Sequence, residues 1–378
     1  MKIVLTGGGT GGHFYPLMAI AESIHDIARE ERLVTPRLYF IAPDPFDREA
    51  LFENEILFIR SPAGKMRRYR SIRNLSDLFL TATGFLWSLL RLFFLYPDVV
   101  ISKGGYTSVP VTLAARVLNI PVIVHESDSR PGRANLLASR FAARIAVAFA
   151  SSIAYFPKNV QGKIARTGIP IRKTLTRLVP EGARQYLNLE GGIPVILILG
   201  GSQGSARIND TVLSALPELI SYAAVIHQTG KDNIREVTET AKVVLEKSPH
   251  ADRYHPYPYL SALSLERAAA VADVVVSRAG AGTIAEIAAW RKPAILIPIP
   301  ESVSHDQRTN AYAFAETGAA VVLEEANLTP HVLASEIRRI VANPALGKTM
   351  GERGASFADK DAARIIADEA VEIALSHE

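Results

Sequence analysis

The sequence contains no cysteine, which excludes a disulfide framework and a thiolate metal site. It also lacks a strong charge bias. Lys and Arg number 42 against 38 Asp and Glu, a formal net charge of +4 that is too small to indicate nucleic-acid binding by itself. The N-terminus enters an apolar segment directly at Met1–Leu5, so we expect no cleavable signal and predict a cytoplasmic protein.

Several chemical signatures are missing as well. The chain has no P-loop, no G-x-S-x-G and no H-E-x-x-H motif. His305 and Asp306 adjoin, but no neighbouring residue completes a metal-ligand spacing, so no metal site is predicted. What remains is a globular protein with 48% hydrophobic residues and full cores.

Apolar, β-branched segments alternate with helical periodicity along the 378 residues, which predicts an α/β protein with two doubly wound domains. We expect an N-terminal domain over residues 1–168 and a C-terminal domain over residues 169–354, because Gly168–Arg172 has the small and proline residues of an interdomain connection. A last helical segment at about 355–378 is expected to pack back on the first domain.

Three glycine-rich turns follow predicted strands, at residues 7–12, 200–204 and 278–282. Such a turn delivers backbone N–H groups and the positive end of a helix dipole to one point, which suits a phosphate. One ligand held by the carboxyl ends of two parallel sheets would use turns from both. Alternatively, Gly7, Gly9 and Gly12 belong to a dinucleotide motif, although Asp44 comes late for the NAD pattern.

The segment Ser277–Asn310 reads as strand, glycine turn, helix and strand. Two interpretations of Glu286 stay open. It accepts hydrogen bonds from sugar hydroxyls, or it closes a capping box that begins at Thr283.

The segment Leu78–Leu95 is almost entirely apolar and long enough for a transmembrane helix. Strand-like segments on both sides argue against a span, and a polar stripe makes the helix amphipathic. The stripe consists of Asp77, Thr81, Gly84, Ser88 and Arg91. The helix also has more aromatic residues than one face packed on a sheet needs: Phe79, Phe85, Trp87, Phe93 and Phe94. A basic cluster precedes it: Lys65, Arg67, Arg68, Arg70 and Arg73. We interpret Lys65–Leu95 as a helix on an anionic membrane surface; a deeply buried helix is the alternative.

Two acid–base candidates lie at predicted strand ends. His13 follows the first glycine turn and titrates in the range of a general base, or it bonds a phosphate or a backbone carbonyl. His125 and Glu126 end another strand and are either chemical or structural.

Together the motifs resemble those of one family, the MurG glycosyltransferases. They are Gly7-Gly-Gly-Thr-Gly-Gly-His13, Gly104-Gly-Tyr106, His125-Glu126, Gly200-Gly-Ser-Gln-Gly204, Ser277-Arg-Ala-Gly280, Glu286-Ile-Ala-Ala289 and Gln307 with Asn310-Ala311. The resemblance runs in order to about residue 345. It implies two Rossmann-like domains facing across a cleft, no metal and no cofactor, and a peripheral position on the cytoplasmic face of the cell membrane.

The resemblance also implies the reaction and its site. N-acetylglucosamine would pass with inversion from UDP-N-acetylglucosamine to the 4-hydroxyl of an undecaprenyl-linked acceptor lipid, with His13 as the base and Glu126 in reserve. Glu286 would take the ribose hydroxyls, Gln307 the sugar, and a backbone group near Leu260 the uracil. The implied substrate-binding residues are Thr10, Gly11, Gly12, Asp128, Arg172, Ser202, Leu260, Ala281, Gly282, Thr283, Ile284, Ala285, Glu286 and Gln307.

The chain departs from the family pattern in three places. Asp128 stands where the family usually has Asn, the segment Tyr257–Leu265 is slightly longer, and Ser304-His-Asp306 is reshuffled before Gln307. Three rival functions remain at this stage: a transferase for another lipid such as diacylglycerol, a nicotinamide-dependent oxidoreductase, and a catalytically idle membrane-docking protein.

Overall fold

The chain forms two compact units in the computed structural model. Unit 1 comprises Met1–Arg172 with Asp359–Glu378, and unit 2 comprises Lys173–Ala358. The structure describes residues 1–65, 73–201, 203–301, 306–359 and 361–376, without the side chains of residues 73–75. Arg67, Arg68, Arg70, Ser202 and His305 therefore lie outside the described residues, as does the Arg73 side chain.

Unit 1 is built on a seven-stranded sheet in which all neighbouring strands run parallel. Its strands are β1 (Lys2–Gly7), β2 (Arg37–Ala42), β3 (Ile56–Arg60), β4 (Val99–Gly104), β5 (Val122–Glu126), β6 (Arg144–Val147) and β7 (Ile164–Arg166). Its helices before the unit boundary are α1 (Gly11–Glu30), α2 (Arg48–Glu53), α3 (Arg73–Leu95), α4 (Val109–Val117) and α5 (Arg133–Ser139). The strand order β3-β2-β1-β4-β5-β6-β7 is that of a doubly wound fold.

Unit 2 repeats this architecture with a six-stranded parallel sheet in the order β10-β9-β8-β11-β12-β13. Its strands are β8 (Val195–Leu199), β9 (Ala224–Gln228), β10 (Tyr254–Tyr257), β11 (Val274–Ser277), β12 (Ala294–Leu296) and β13 (Ala320–Val322). Its helices are α6 (Lys173–Thr176), α7 (Ala183–Tyr186), α8 (Ala206–Leu219), α9 (Ile234–Val244), α10 (Ala262–Val271), α11 (Ala281–Trp290), α12 (Gln307–Ala315), α13 (Pro330–Val341) and α14 (Pro344–Gly354). The predicted fold class, two doubly wound α/β domains, is confirmed.

The central strands are buried on both faces, which explains why they read as continuous apolar runs rather than as alternating patterns. Ile3, Val4 and Leu5 in β1 are fully buried, and β8 is buried along its whole length. Because both sides of each strand meet helices, β-branched residues are favoured at every position.

The last helix, α15 (Ala362–Leu375), belongs to unit 1 although it follows unit 2 in sequence. It packs on α1 and shares a core cluster with the buried residues of that helix. Arg364 bonds Glu30 of α1 at 2.6 Å, and Glu369 pairs with Arg144 of β6 at 2.7 Å. The C-terminal segment is thus tied to both α1 and β6.

Two elements differ from the sequence expectation. Proline favours the first position of a helix, but α1 begins at Gly11 and Pro16 lies inside it, at a cost of one helical hydrogen bond. Strand β10 was missed because its sequence, Tyr-His-Pro-Tyr, has no apolar run. It is an edge strand, where proline is tolerated.

Helix α3 is the crossover between β3 and β4, and both strands belong to one sheet, as the sequence predicted. Among the described residues, it is the one helix that is long and apolar enough to cross a membrane. Only 17% of its apolar segment is buried inside the protein, so the alternative of a deeply buried helix is wrong.

The polar stripe of α3 faces the protein, except for Arg91, which is exposed. Asp77 and Ser88 are buried, and the Ser88 hydroxyl lies 2.8 Å from that of Ser61. Gly84 sits so close to Pro62 that an added Cβ would lie 1.8 Å from the proline carbonyl oxygen. Small and polar residues let the helix approach the segment after β3, so the apolar residues are left on the outer face.

That outer face is an unusually large exposed apolar surface. Phe79 is 71% exposed and Phe94 80% exposed. The other large exposed side chains of the helix are Leu78, Leu80, Leu86, Trp87, Leu90 and Phe93. We call these eight residues the apolar face of α3.

Candidate active site

His13 lies in the first turns of α1, directly after the glycine-rich turn that follows β1. Its Nδ1 is 2.9 Å from the Thr10 hydroxyl, and its backbone N–H donates to the Thr10 carbonyl at 3.1 Å. Burial, and with it the positive charge of Lys103, lowers the pKa of His13 to about 3. His13 is therefore neutral at physiological pH and has an unprotonated ring nitrogen.

Lys103 is the buried cation of this site. It occupies the penultimate position of β4, is 1% exposed, and donates from Nζ to the Ser127 hydroxyl at 2.8 Å. Burial lowers the pKa of the ammonium, while Glu126 and Asp128 oppose that change. Lys103 was not identified as a site residue from the sequence; the available signal was a lysine that follows a buried apolar run and precedes two glycines.

Glu126 organises the loop after β5. One carboxylate oxygen accepts the backbone N–H of Asp128 at 2.9 Å; the other accepts the Gly132 N–H and the Asn135 amide, both at 2.9 Å. The residue is 3% exposed. Because three donors already occupy its oxygens, this geometry gives Glu126 a structural task.

His125 is buried beneath the same loop. Its Nε2 lies 3.0 Å from the Gly168 carbonyl, whereas Nδ1 has no hydrogen-bond partner among the described residues. Burial and the charge of Lys103 lower its pKa to about 3, although the hydrogen bond to Gly168 opposes both effects. This environment favours the structural interpretation of His125.

Arg172 ends unit 1. Its guanidinium lies 4.0 Å from the ring centroid of Tyr15, and the Tyr15 hydroxyl donates to Asp47 at 3.1 Å. Its Nε is buried and has no hydrogen-bond partner in the described part of the chain. Stacking on Tyr15 of α1 holds the planar guanidinium of Arg172 in one orientation, so the group is pre-organised to bind an anion.

In unit 2 the second glycine-rich turn connects β8 to α8. Gly204 adopts φ +75°, and a Cβ there would lie 2.0 Å from the Thr229 carbonyl oxygen, so only glycine fits. Ser205 caps α8 by accepting the Ile208 N–H at 3.4 Å. The turn is therefore fixed by close backbone approach at one end and by a cap at the other.

Gln228, at the end of β9, joins this turn to the loop at Leu260. Its amide donates to the Gly201 carbonyl at 3.0 Å, and its oxygen accepts the Leu260 N–H at 3.0 Å. The Leu260 N–H is thus engaged within the protein. Gln228 was not identified from the sequence, since the contact spans 27 residues on one side and 32 on the other.

The third turn ends in the N-terminus of α11. Gly280 is the N-cap and no side chain caps the helix, so Thr283 is the third helical residue and Glu286 the sixth. The proposed capping box that starts at Thr283 is therefore wrong. Cβ atoms added to Gly280 or Gly282 would meet nothing within 4 Å, so the helix end opens on free space.

The predicted α11 residues divide by burial. Ala281, Ile284 and Ala285 are buried in the core. Gly282, Thr283 and Glu286 are partly exposed. The structure thus separates residues that support the helix from those that reach a ligand.

Arg278 ties the ends of the central strands together. It donates to the Ser205 hydroxyl at 2.6 Å and to the Ile297 carbonyl at 3.1 Å, and it pairs closely with Glu325. The sequence analysis placed Arg278 in the turn but gave it no role. These bonds make it the residue that holds the two glycine-rich turns of unit 2 in register.

Gln307 begins α12, and its side-chain oxygen accepts the Ile299 N–H at 3.2 Å, which leaves the amide nitrogen as a donor. Ser202 lies outside the described residues, so its predicted contact stays a prediction. Within the described part of the chain, no three His, Asp or Glu residues cluster in a metal-binding arrangement.

Sequence comparison defines the class of protein first. Residues 3–147 match the Glycosyltransferase family 28 N-terminal domain, and residues 195–366 match the C-terminal domain of the same family. The two doubly wound units and their glycine-rich turns accord with this class, so the chain is a glycosyltransferase.

Similar proteins define the family. A UDP-N-acetylglucosamine–N-acetylmuramyl-(pentapeptide) pyrophosphoryl-undecaprenol N-acetylglucosamine transferase of Treponema denticola is 36% identical over 97% of this chain and 96% of its own length. The same-named protein of Halothermothrix orenii is 38% identical over 90% of each chain. The crystal structure of Acinetobacter baumannii MurG shares the fold, with a TM-score of 0.69 and 23% identity over 98% of this chain and 99% of that one. The chain belongs to the MurG family.

Proposed function

We propose that this chain transfers N-acetylglucosamine from UDP-N-acetylglucosamine to undecaprenyl-pyrophosphoryl-N-acetylmuramyl-pentapeptide, which makes the lipid-linked disaccharide of peptidoglycan synthesis. The name carried by its relatives supports this reaction. In the structure, the observation that carries it is the uncapped N-terminus of α11, which opens on free space. A diphosphate suits such a helix end.

In this proposal unit 2 carries the donor. The free N–H groups at the start of α11 and the positive end of its dipole hold the diphosphate. Glu286, partly exposed in the second turn, accepts the ribose hydroxyls, and the side-chain amide nitrogen of Gln307 donates to the sugar. Gln228 fixes the loop whose Leu260 carbonyl accepts from the uracil.

Unit 1 supplies the base and carries the acceptor. His13 removes the proton of the acceptor 4-hydroxyl as that oxygen attacks the anomeric carbon from the side opposite UDP, which inverts the configuration. His13 is preferred to Glu126 because the carboxylate oxygens of Glu126 already accept three hydrogen bonds. Asp128 and the neighbouring loop line the same edge of the sheet.

Departure of UDP leaves negative charge on the diphosphate. The dipole of α11 and its N–H groups stabilise that charge without moving, because they are fixed by the fold. Arg172 adds a positive charge whose orientation is set by Tyr15. Arg278 contributes less, since Glu325 already pairs with it.

The substrate-binding residues are tested with Glu286→Ala. We expect the donor KM to rise by about 10- to 100-fold, because the variant loses charge-assisted hydrogen bonds to the ribose. The measurement is steady-state UDP release with an analogue of the proposed acceptor, undecaprenyl-pyrophosphoryl-N-acetylmuramyl-pentapeptide (lipid I). Glu239→Ala, on the exposed surface of α9, is the control and should leave KM unchanged.

The donor proposal fails if Glu286→Ala leaves KM unchanged in a folded protein. The acceptor proposal is separate: activity on diacylglycerol and none on the lipid I analogue would overturn it while leaving the donor site intact.

We also propose that the segment Lys65–Leu95 binds an anionic membrane surface on the cytoplasmic side of the cell membrane. The apolar face of α3 supports this, because a soluble protein gains nothing from leaving eight large apolar side chains in water. Lys65 is exposed and Arg91 lies 4.7 Å from the Trp87 ring centroid, so positive charge borders the apolar side chains. That combination is typical of interfacial helices.

Replacing Phe79 and Phe94 by Ser should weaken binding to phosphatidylglycerol vesicles by about tenfold or more. Burial of each phenylalanine side chain contributes about 1.5 to 3 kcal/mol to the free energy of binding. Both are more suitable targets than Phe85, which packs partly into the core. Vesicle co-sedimentation measures the effect, and donor binding should stay unchanged. The control Val34→Ser/Val243→Ser changes two equally exposed apolar residues elsewhere. Equal losses in both double variants would contradict the proposal.

A further inference from the structure

Unit 2 contains a cavity of about 490 Å³ at the amino ends of its strands, the edge opposite the glycine-rich turns. Pro194 precedes β8, Asp273 precedes β11 and Lys292 precedes β12, and all three line it. Helix α11 separates the two edges: its 10 residues run from the open N-terminus to Arg291 at the cavity, a length of about 15 Å. The cavity is therefore distinct from the donor site.

The lining of this cavity is strongly cationic. Arg184, Arg291, Lys292 and Lys348 contribute four positive charges against the single carboxylate of Asp273. One oxygen of Asp273 accepts the Val195 N–H at 2.8 Å, so part of its bonding capacity serves the backbone. The excess of positive charge gives the cavity a preference for anions.

The cations are held in defined positions. Arg184 donates to the carbonyls of Glu190 at 2.8 Å and Ile193 at 3.0 Å. These two hydrogen bonds hold its guanidinium in place as one wall of the cavity. Lys292 donates to the Ala270 carbonyl at 3.3 Å. Lys348 is exposed and meets Glu352 only at 3.9 Å, which leaves its charge largely available.

Two features of these residues cost the folded protein free energy: burial of the Lys292 ammonium and the backbone conformation of Arg291. Burial lowers the pKa of Lys292, and Asp273 only opposes that effect. Arg291 ends α11 with φ +55°, a left-handed conformation in which Gly or Asn is normally preferred. An anion in the cavity would offset the cost of the half-buried ammonium.

We propose that this cavity binds a small phosphate-bearing anion, held by the side chains of Arg291, Lys292 and Lys348 against the wall formed by Arg184. Its volume is within the range of small-molecule sites, and guanidinium and ammonium groups are the usual partners of phosphate. The site goes beyond the proposed transferase reaction, and the failure of either proposal leaves the other standing.

The test uses inorganic diphosphate as the probe and the full-length protein saturated with UDP, so that the donor site is occupied. Isothermal titration calorimetry in a phosphate-free buffer should show saturable binding of one diphosphate per chain. Arg291→Asn/Lys292→Gln should weaken it by about tenfold or more. Asn is chosen because it tolerates the left-handed conformation.

The charge-matched control is Arg235→Gln/Lys242→Gln on the exposed face of α9, which should change the affinity by about twofold at most. Lys348→Gln, at an exposed position, should weaken binding even if the double variant fails to fold. Absence of saturable binding to the UDP-saturated protein, or equal losses in the double variant and the control, would each overturn the proposal.

Discussion

Replacing His13 by Gln is expected to lower kcat by about 10²- to 10⁴-fold, the contribution of a positioned general base. The donor KM is expected to change by no more than about threefold, because His13 makes none of the diphosphate or ribose contacts in our proposal. Single-turnover and steady-state rates with a lipid I analogue measure both quantities.

The reason lies in the protonation state of His13. A base must be unprotonated, and burial together with the charge of Lys103 lowers the pKa of His13 to about 3. The acid limb of kcat/KM that belongs to His13 should therefore lie well below pH 6. Lys103→Met removes the second cause, so the pKa of His13 should rise and this limb should move toward neutral pH.

Thr10→Val is the companion variant, since it removes the hydroxyl beside Nδ1 but keeps the ring. It should lower kcat less than His13→Gln and leave the acid limb at low pH. If His13→Gln instead raises the donor KM and spares kcat, His13 binds a phosphate and is not the base.

The glycine-rich turns explain why so much of the fold could be predicted. Each follows a buried apolar strand and precedes a helix, so strand, turn and helix are encoded within a few neighbouring residues. The sheet class follows, because alternating strands and helices favour parallel order. Strand β10 could not be predicted in this way, since its pairing with β9 is specified by tertiary position and not by an apolar pattern.

Site residues could be predicted where they belong to a motif of neighbouring residues, but not where their contacts join residues far apart in the sequence. His13 lies next to its turn in sequence, whereas Gln228 joins two loops and Arg278 bonds a residue 73 positions away. Helix α3 shows a further limit. Its polar stripe was correctly recognised, but periodicity cannot reveal which face meets the protein when Gly84 and Ser88 make the polar side the closer-packing one.

The second large effect concerns stability in acid. His125 and His227 are fully buried, and each has a ring nitrogen without a partner among the described residues. Burial, together with the charge of Lys103 at His125, lowers the pKa of each to about 3. Protonation would place a charged N–H where no acceptor lies. Because the folded pKa values lie below the unfolded value of 6.5, the unfolded chain binds more protons between about pH 3 and 6.5, and stability must fall as pH falls through that range.

We expect each of these histidines to cost about 2 kcal/mol of unfolding free energy at pH 5 relative to pH 7.5. His227→Gln should remove the cost in unit 2 and keep an acceptor for the Tyr254 hydroxyl, which lies 2.9 Å from Nδ1 in the native protein. The chain has 2 tryptophans, so Trp87→Phe leaves Trp290, 4% exposed, as the fluorescent reporter of unit 2. Urea unfolding in that background at pH 7.5 and pH 5 should show a smaller difference for His227→Gln than for its parent. Equal differences in the two proteins would mean that His227 takes up its proton in the folded state as readily as in the unfolded one.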